Sequence, residues 1–171
     1  QTCALPIYNS PRRFDTFVEQ ALYGDEGFYA TGGRAGHADG DFTTSVENGS
    51  LFGSCVARWL DAVWDELGRP DPFVVIEGGS GPGRLCRDVF LAVDDCRDAL
   101  RYVMVERSTI QRRDAYDLVA GTCFPGHEEA PVAAVADLPP GPFTGVVLAN
   151  ELLDNLPPRL VRLTPAGWEE L

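Results

Sequence analysis

Residues 73–85, Phe73-Val74-Val75-Ile76-Glu77-Gly78-Gly79-Ser80-Gly81-Pro82-Gly83-Arg84-Leu85, restrict the fold more than any other stretch of this chain. An apolar run ends in an acid, enters a glycine loop and continues as a helical pattern from Leu85 to Val93. A strand that turns through glycines straight into a helix is the opening unit of a doubly wound α/β sheet. Such a unit presents a nucleotide-like ligand at the carboxyl end of its strand. Glycines allow positive φ and let the backbone approach a ligand that a Cβ would push away. The amides that open the following helix can then face that ligand.

Spacing narrows the ligand. The dinucleotide fingerprint is Gly-x-Gly-x-x-Gly/Ala. Counted from Gly79, its third position falls on Arg84; counted from Gly78, Gly81 is out of step. What fits is Gly79-x-Gly81-x-Gly83, with Glu77 two residues before it. This resembles motif I of class I S-adenosylmethionine (SAM) methyltransferases, whose loop wraps the amino-acid end of SAM. A dinucleotide loop and a ligand-free tight turn are the alternatives. A second acid sharpens the choice. Leu100-Arg101-Tyr102-Val103-Met104-Val105 reads as a second strand that ends in Glu106, the position from which a carboxylate accepts ribose hydroxyls. The bland alternative is a solvated acid at a strand end. Loop and acid together favour an adenosine-containing ligand.

Composition removes other classes. At 171 residues, the chain is long enough for one domain with a sizeable core. It is 44% hydrophobic and 23% charged, the balance of an ordinary globular protein. No apolar run reaches the length of a membrane span. A net charge of −12 argues against binding nucleic acid, which needs a positive surface. Cys55, Cys86, Cys96 and Cys123 show no Cys-x-x-Cys spacing. With only His37 and His127 beside them, there is no metal-site pattern. They read as small buried thiols in a reducing compartment, so a cytoplasmic location is expected. A catalytic cysteine is the minor alternative. The sequence indicates no oligomeric state.

The segment Gln1-Thr2-Cys3-Ala4-Leu5-Pro6-Ile7 is what a common sequencing-adapter tail encodes in frame, so residues 1–7 are read as an artefact. Residues 8–70 form an N-terminal helical extension with a glycine-rich loop. Phe14, Phe17, Val18, Ala21 and Leu22 recur at helical spacing within 12–22, and a loop follows from Gly24 to Asp41. A strong apolar stripe then runs from Leu51 to Leu67, with Trp59 and Trp64 expected in the core. Residues 71–171 form the first half of the ligand-binding domain. The expected strands are 73–77, 101–106, a weaker one at 132–136, and Gly145-Val146-Val147-Leu148-Ala149. That last strand has the continuous apolar character of one buried on both faces. Helices are expected near 84–93 and 108–119. After Pro157-Pro158, residues 159–168 read as a hairpin. A class I methyltransferase sheet has seven strands. This chain supplies about four, so it is expected to be truncated on both sides.

Three blocks carry a more specific resemblance. They are Gly40-Asp41-Phe42-Thr43-Thr44-Ser45-Val46-Glu47 with Phe52-Gly53, the loop Glu77 to Gly83, and Ala149-Asn150-Glu151-Leu152-Leu153-Asp154-Asn155-Leu156-Pro157. Together they are similar to the MidA-like family of SAM-dependent methyltransferases, which includes a mitochondrial complex I assembly factor acting as a protein arginine methyltransferase. Gly27-Phe28-Tyr29, Val105-Glu106-Arg107-Ser108 and Thr164-Pro165-Ala166-Gly167-Trp168-Glu169 match in order as well. There are two departures. The family usually has Pro where Val46 stands and an aliphatic residue where Gly78 stands.

The resemblance implies a class I fold, SAM as cofactor and a protein arginine as methyl acceptor. The cofactor-binding candidates are Glu77, Gly79, Gly81, Gly83, Glu106 and Asp137; the catalytic candidates are Glu151, Asn150 and Asp154. A guanidinium acceptor suits carboxylates, because bidentate pairing fixes its plane and holds one nitrogen toward the methyl group. Glu151 and Asp154, three apart at an expected helix start, would share one face. The alternative is that Asn150 and Asp154 only cap that helix. Asp41 and Glu47 are weaker substrate or loop candidates. Two competing functions are weighed. One is an NAD(P)-dependent oxidoreductase, disfavoured by Arg84 and by the twenty-seven positions between Gly79 and Glu106 against the usual gap of about 20. The other is a non-catalytic assembly module of methyltransferase fold.

Overall fold

A computed structural model describes residues 12–31, 46, 49–127 and 129–171, which fall into two compact units. The larger, within 32–154, is built on a four-stranded parallel sheet of order β3-β2-β1-β4. Its strands are β1 (Phe73–Gly78), β2 (Leu100–Val105), β3 (Val132–Val135) and β4 (Gly145–Leu148). Parallel neighbours need crossover connections. Here α3 (Arg84–Ala92) joins β1 to β2, and α4 (Thr109–Cys123) joins β2 to β3. The strand order and the class I architecture are those expected. β1 is central, with Ile76 level with Val103 of β2 and Val147 of β4.

One face of the sheet makes the core. Val75, Tyr102 and Met104 are buried against Leu85, Val89 and Phe90 of α3 and Ala115 and Val119 of α4. α2 (Leu51–Glu66) packs against α3 and adds Ala57 and Leu60. Burial of each large side chain here is worth roughly 1.5–3 kcal/mol. Val46, where the family usually has Pro, packs against the same cluster.

Three burial expectations are corrected. Trp64 packs on the core and donates its indole N–H to the Pro70 carbonyl at 2.9 Å, but Trp59 is 48% exposed. The buried stripe of α2 runs through Gly53, Ala57 and Leu60, and Trp59 stands about 100° around the helix from Leu60. Cys55 is exposed for the same reason, while Cys86 and Cys96 are buried as expected. β4 is parallel but not enclosed on both faces. Val147 is 61% exposed because β4 pairs only with β1 and its outward face carries no helix among the described residues.

The smaller unit combines residues of 1–31 with 155–171. It holds α1 (Phe14–Tyr23) and the antiparallel hairpin of β5 (Val161–Thr164) and β6 (Gly167–Glu170), which realises the expected turn at Pro165-Ala166. Two of the sequence blocks meet in it. Tyr23 donates its hydroxyl to the Asn155 carbonyl at 2.9 Å, and Tyr29 donates to Asn155 Oδ1 at 2.6 Å, with the two rings stacked. Arg13 pairs with Asp15 and with Glu170 of the hairpin.

α2 and α3 cross closely at Gly53. A Cβ at that position would stand 2.3 Å from Cβ of Asp88, a contact real structures do not tolerate. Gly53→Ala would raise helix propensity by up to about 1 kcal/mol, yet should still destabilise the protein by about 1–3 kcal/mol through overpacking. Urea denaturation of the two proteins measures the sign.

Candidate active site

The four strands end level with one another, Gly78 beside Val105 and Val105 beside Val135, with Leu148 opposite Glu77. Every candidate of the larger unit that can be located therefore emerges at one edge of the sheet. Glu77 to Gly83 follow β1, Glu106 follows β2, Asp137 follows β3, and Asn150, Glu151 and Asp154 follow β4. That edge is where doubly wound proteins bind their ligands, beside the strand at which the chain reverses direction across the sheet. Asp41 and Glu47 lie outside the described residues.

The glycine loop is fastened from below. Gly79 and Ser80 donate their amides to the Val105 carbonyl at 2.8 and 3.3 Å, and Gly83 donates to Ser80 at 3.1 Å. Gly81 donates to Glu106 Oε2 at 3.0 Å, while Ser108 donates to Glu106 Oε1 at 2.8 Å. These loop amides turn inward, and the ligand-facing role stays with the amides that open the helix, as the sequence reading expects. Gly83 is required twice over. Its φ is +78°, and a Cβ would press on Ala115 of α4 at 3.0 Å, so it sets the packing of loop against helix. At Gly81 a Cβ would meet nothing nearer than Gln111 Oε1 at 3.7 Å, so open space lies over the loop centre.

Glu106 is only 8% exposed and accepts two backbone amides. An ionised carboxylate offers about four lone-pair sites, so capacity for two ligand hydroxyls remains. Glu77 is buried more deeply, and its Oε2 accepts from the Tyr102 hydroxyl at 2.9 Å. Burial, with the nearby Glu106 charge adding to it, pushes the Glu77 carboxyl up to about 8 against the pull of the Tyr102 hydrogen bond. Two carboxylates at one strand edge thus differ in environment. Asp137 is exposed beyond β3.

The block after β4 departs from expectation. Residues 152–155 form one 3-10 turn, Leu152–Asn155, and no α-helix starts there. Glu151 and Asp154 are both exposed, Asn150 half-buried, and Glu151 takes a left-handed backbone with φ of +56°. A non-glycine residue there stores strain of order 1–3 kcal/mol, a feature concentrated at functional sites. The shared-face argument from helical spacing therefore does not carry over, and helix capping has no helix to act on.

Several supporting residues escaped the sequence reading. Tyr102 was legible in principle, since a tyrosine on the buried side of a strand needs a partner for its hydroxyl. Ser108-Thr109-Ile110-Gln111 is a capping-box pattern, and Ser108 Oγ does accept from the Gln111 amide at 3.4 Å. Arg112 donates to the carbonyls of Glu106 and Arg107, both at 2.7 Å, which pins the turn after β2. Ser80 Oγ is buried with no hydrogen-bond partner among the described residues. Three of the thiols are poor nucleophiles. Burial raises Cys86 far above its ordinary value, lifts Cys96 to about 12 with Asp61 adding to the shift, and raises Cys123 despite the opposing pull of Arg97 and Arg87. A separate crevice of about 720 Å³ opens at the other end of β2 and β3, between Arg97, Arg101, Phe124 and Glu129, and holds none of the candidate residues.

Comparison with known proteins decides between the SAM and dinucleotide readings of the loop. A family described as "putative S-adenosyl-L-methionine-dependent methyltransferase" matches residues 55–171. The chain belongs to that family. Similar relatives include the mitochondrial protein arginine methyltransferase NDUFAF7 homolog of Drosophila melanogaster. It is 31% identical over 152 residues, covering 78% of this chain and 34% of the relative. The Mus musculus protein arginine methyltransferase NDUFAF7 is 29% identical over 154 residues, covering 77% and 35%. A crystal structure of a Burkholderia thailandensis protein bound to S-adenosylhomocysteine superposes with a TM-score of 0.72 at 29% identity, covering 93% of this chain and 41% of that one. The chain thus spans about a third of the length of the curated relatives it matches. The family's cofactor is SAM, and the dinucleotide alternative falls. The residues fit that cofactor, with open space over Gly81, an unpartnered Ser80 hydroxyl and residual acceptor capacity at Glu106.

The cytoplasmic expectation is overturned, since the fly, mouse and human relatives are all named as mitochondrial. Reduced thiols and an acidic surface describe the folded domain and carry no address.

The buried acid gives a measurable pH dependence. The Glu77 carboxyl has a folded value near 8, above its ordinary 4.5, so the folded state holds the proton more tightly. Stability without ligand should therefore fall as pH rises through the window from about 4.5 to about 8. The loss should be on the order of a few kcal/mol, and Glu77→Gln should flatten it. Urea midpoints across that window check both.

Proposed function

We propose that the protein of which this chain forms part is a SAM-dependent methyltransferase whose acceptor is an arginine of a protein substrate. The observation that carries the reading is the convergence of the glycine loop, Glu106, Asp137 and the 150–154 turn at the carboxyl edge of one parallel sheet, in a member of this family. The arginine acceptor is taken from the named relatives. A respiratory complex I-type protein partner rests on the family resemblance alone.

SAM supplies a methyl group on a positively charged sulfur, open to in-line displacement. The chain's own residues bind and position. Glu106 accepts ribose hydroxyls on the lone pairs its backbone amides leave over, and Asp137 at the end of β3 extends the contact toward the base. Gly79, Gly81 and Gly83 let the backbone lie close to the amino-acid end, with Glu77 beneath it as a carboxyl that ionises to face the positive charge of the ligand. The Asn150-Glu151-x-x-Asp154 turn receives the acceptor. Glu151 pairs with the guanidinium and fixes its plane, Asp154 adds charge, and Asn150 orients through its amide. Holding donor and acceptor together is the main source of rate in such a transfer, worth several kcal/mol as effective molarity. The segmentation into an N-terminal helical extension over 8–70 and the first half of the SAM-binding domain over 71–171 belongs to the same proposal.

Calorimetry with SAM, S-adenosylhomocysteine and NAD tests ligand choice. Saturable binding of either SAM compound and none of NAD is expected, and Gly81→Val should abolish binding by setting a branched side chain where φ is +53°. Saturable NAD binding alone would remove the reading. Enzyme and non-catalytic module separate on Glu151→Gln in the product of the complete gene. SAM affinity should stay within about twofold, while arginine methylation read by mass spectrometry falls about 10²–10³-fold. Equal rates would remove Glu151 from the catalytic residues.

A further inference from the structure

Gly78 has no backbone reason to be glycine. It ends β1 and is absent from the glycines with positive φ, whereas Gly79, Gly81 and Gly83 all have it. What a side chain at Gly78 would meet is Leu152. A Cβ there would stand 3.1 Å from Leu152 Cδ2, with its next neighbour, the Leu148 carbonyl, at 3.8 Å. The same leucine covers Gly79, where a Cβ would come within 2.9 Å of Leu152 Cδ1. One side chain from the turn after β4 therefore lies across the first two residues of the ligand loop.

Leu152 follows directly on Glu151, whose left-handed backbone is strained. Such a conformation persists only where flanking contacts over-determine it. On one side β4 is registered to β1 through Leu148 and Glu77. On the other side the anchor is Leu152, seated in the space that Gly78 leaves. We propose that Leu152 and Gly78 form a size-matched pair that locks the acceptor turn onto the ligand loop, which makes Leu152 a positioning residue for both. This rests on the methyltransferase reading above.

The pair is tested as a double-mutant cycle of Gly78→Ala, Leu152→Ala and the two combined. S-adenosylhomocysteine affinity is read by calorimetry and stability by urea midpoint. Each single change should weaken S-adenosylhomocysteine binding about tenfold, one by crowding the leucine and the other by releasing the turn. The double variant should recover to within about threefold of wild type, the non-additivity expected of residues in contact. Losses that multiply in the double variant would overturn the pairing. Coupling in the urea midpoints without coupling in affinity would reduce Leu152 to a packing residue and also overturn the proposal. An unaltered chain that binds no S-adenosylhomocysteine would overturn the methyltransferase reading first and this inference with it. Should Leu152→Ala fail to fold, Leu152→Met keeps the volume and restores the comparison, with near wild-type affinity expected alone and a loss beside Gly78→Ala.

Discussion

Everything at the candidate site hangs on the parallel pairing of β1 with a neighbour on each side. Parallel strands begin and end together, so registering Val74 against Arg101 of β2 and Gly145 of β4 brings the outgoing loops of the strands to one rim. The glycine loop, the acid after β2 and the turn after β4 become neighbours, and the Glu106 carboxylate and the Leu152 side chain then fasten them together. Among the described residues the helices close one face, with Phe90 and Tyr102 buried at its centre.

The sequence was most legible where one constraint acted alone. Val75, Ile76 and Glu77 read as a strand entering a glycine loop, and the spacing Gly79-x-Gly81-x-Gly83 together with Glu106 favoured an adenosine-containing ligand. Helical periodicity located α1 to α4 to within a few residues, the longest miss being the extension of α4 to Cys123. Legibility failed where two constraints met. Trp59 belongs to a hydrophobic stripe wider than the groove that receives it. Val147 has the composition of an enclosed strand, but its exposure depends on what covers β4. The turn after β4 looked helical because Leu152 and Leu153 favour helix locally, yet Leu152 lies on the glycine loop and Pro157 follows too soon for a longer helix.

The site also separates two acids of the same kind by their surroundings. Glu106 accepts one backbone amide at each oxygen. Glu77 has one phenolic donor and an apolar enclosure, so its charge is disfavoured until a cation arrives. Spacing alone ranks these two residues equally; only the packing around Tyr102 distinguishes them.

The double use of Glu106 bears on kinetics. The carboxylate ties the loop after β1 to the turn after β2 through protein contacts alone, so the proposed cradle need not assemble around its guest. Association should thus resemble docking into a rigid mould, with an observed rate that climbs linearly with ligand concentration and shows no slow conformational phase. Departure would leave the mould standing, since the amides of Gly81 and Ser108 hold the carboxylate independently of any ligand. A protein built in this way gains speed of exchange and forgoes the tightening that a closing loop could add.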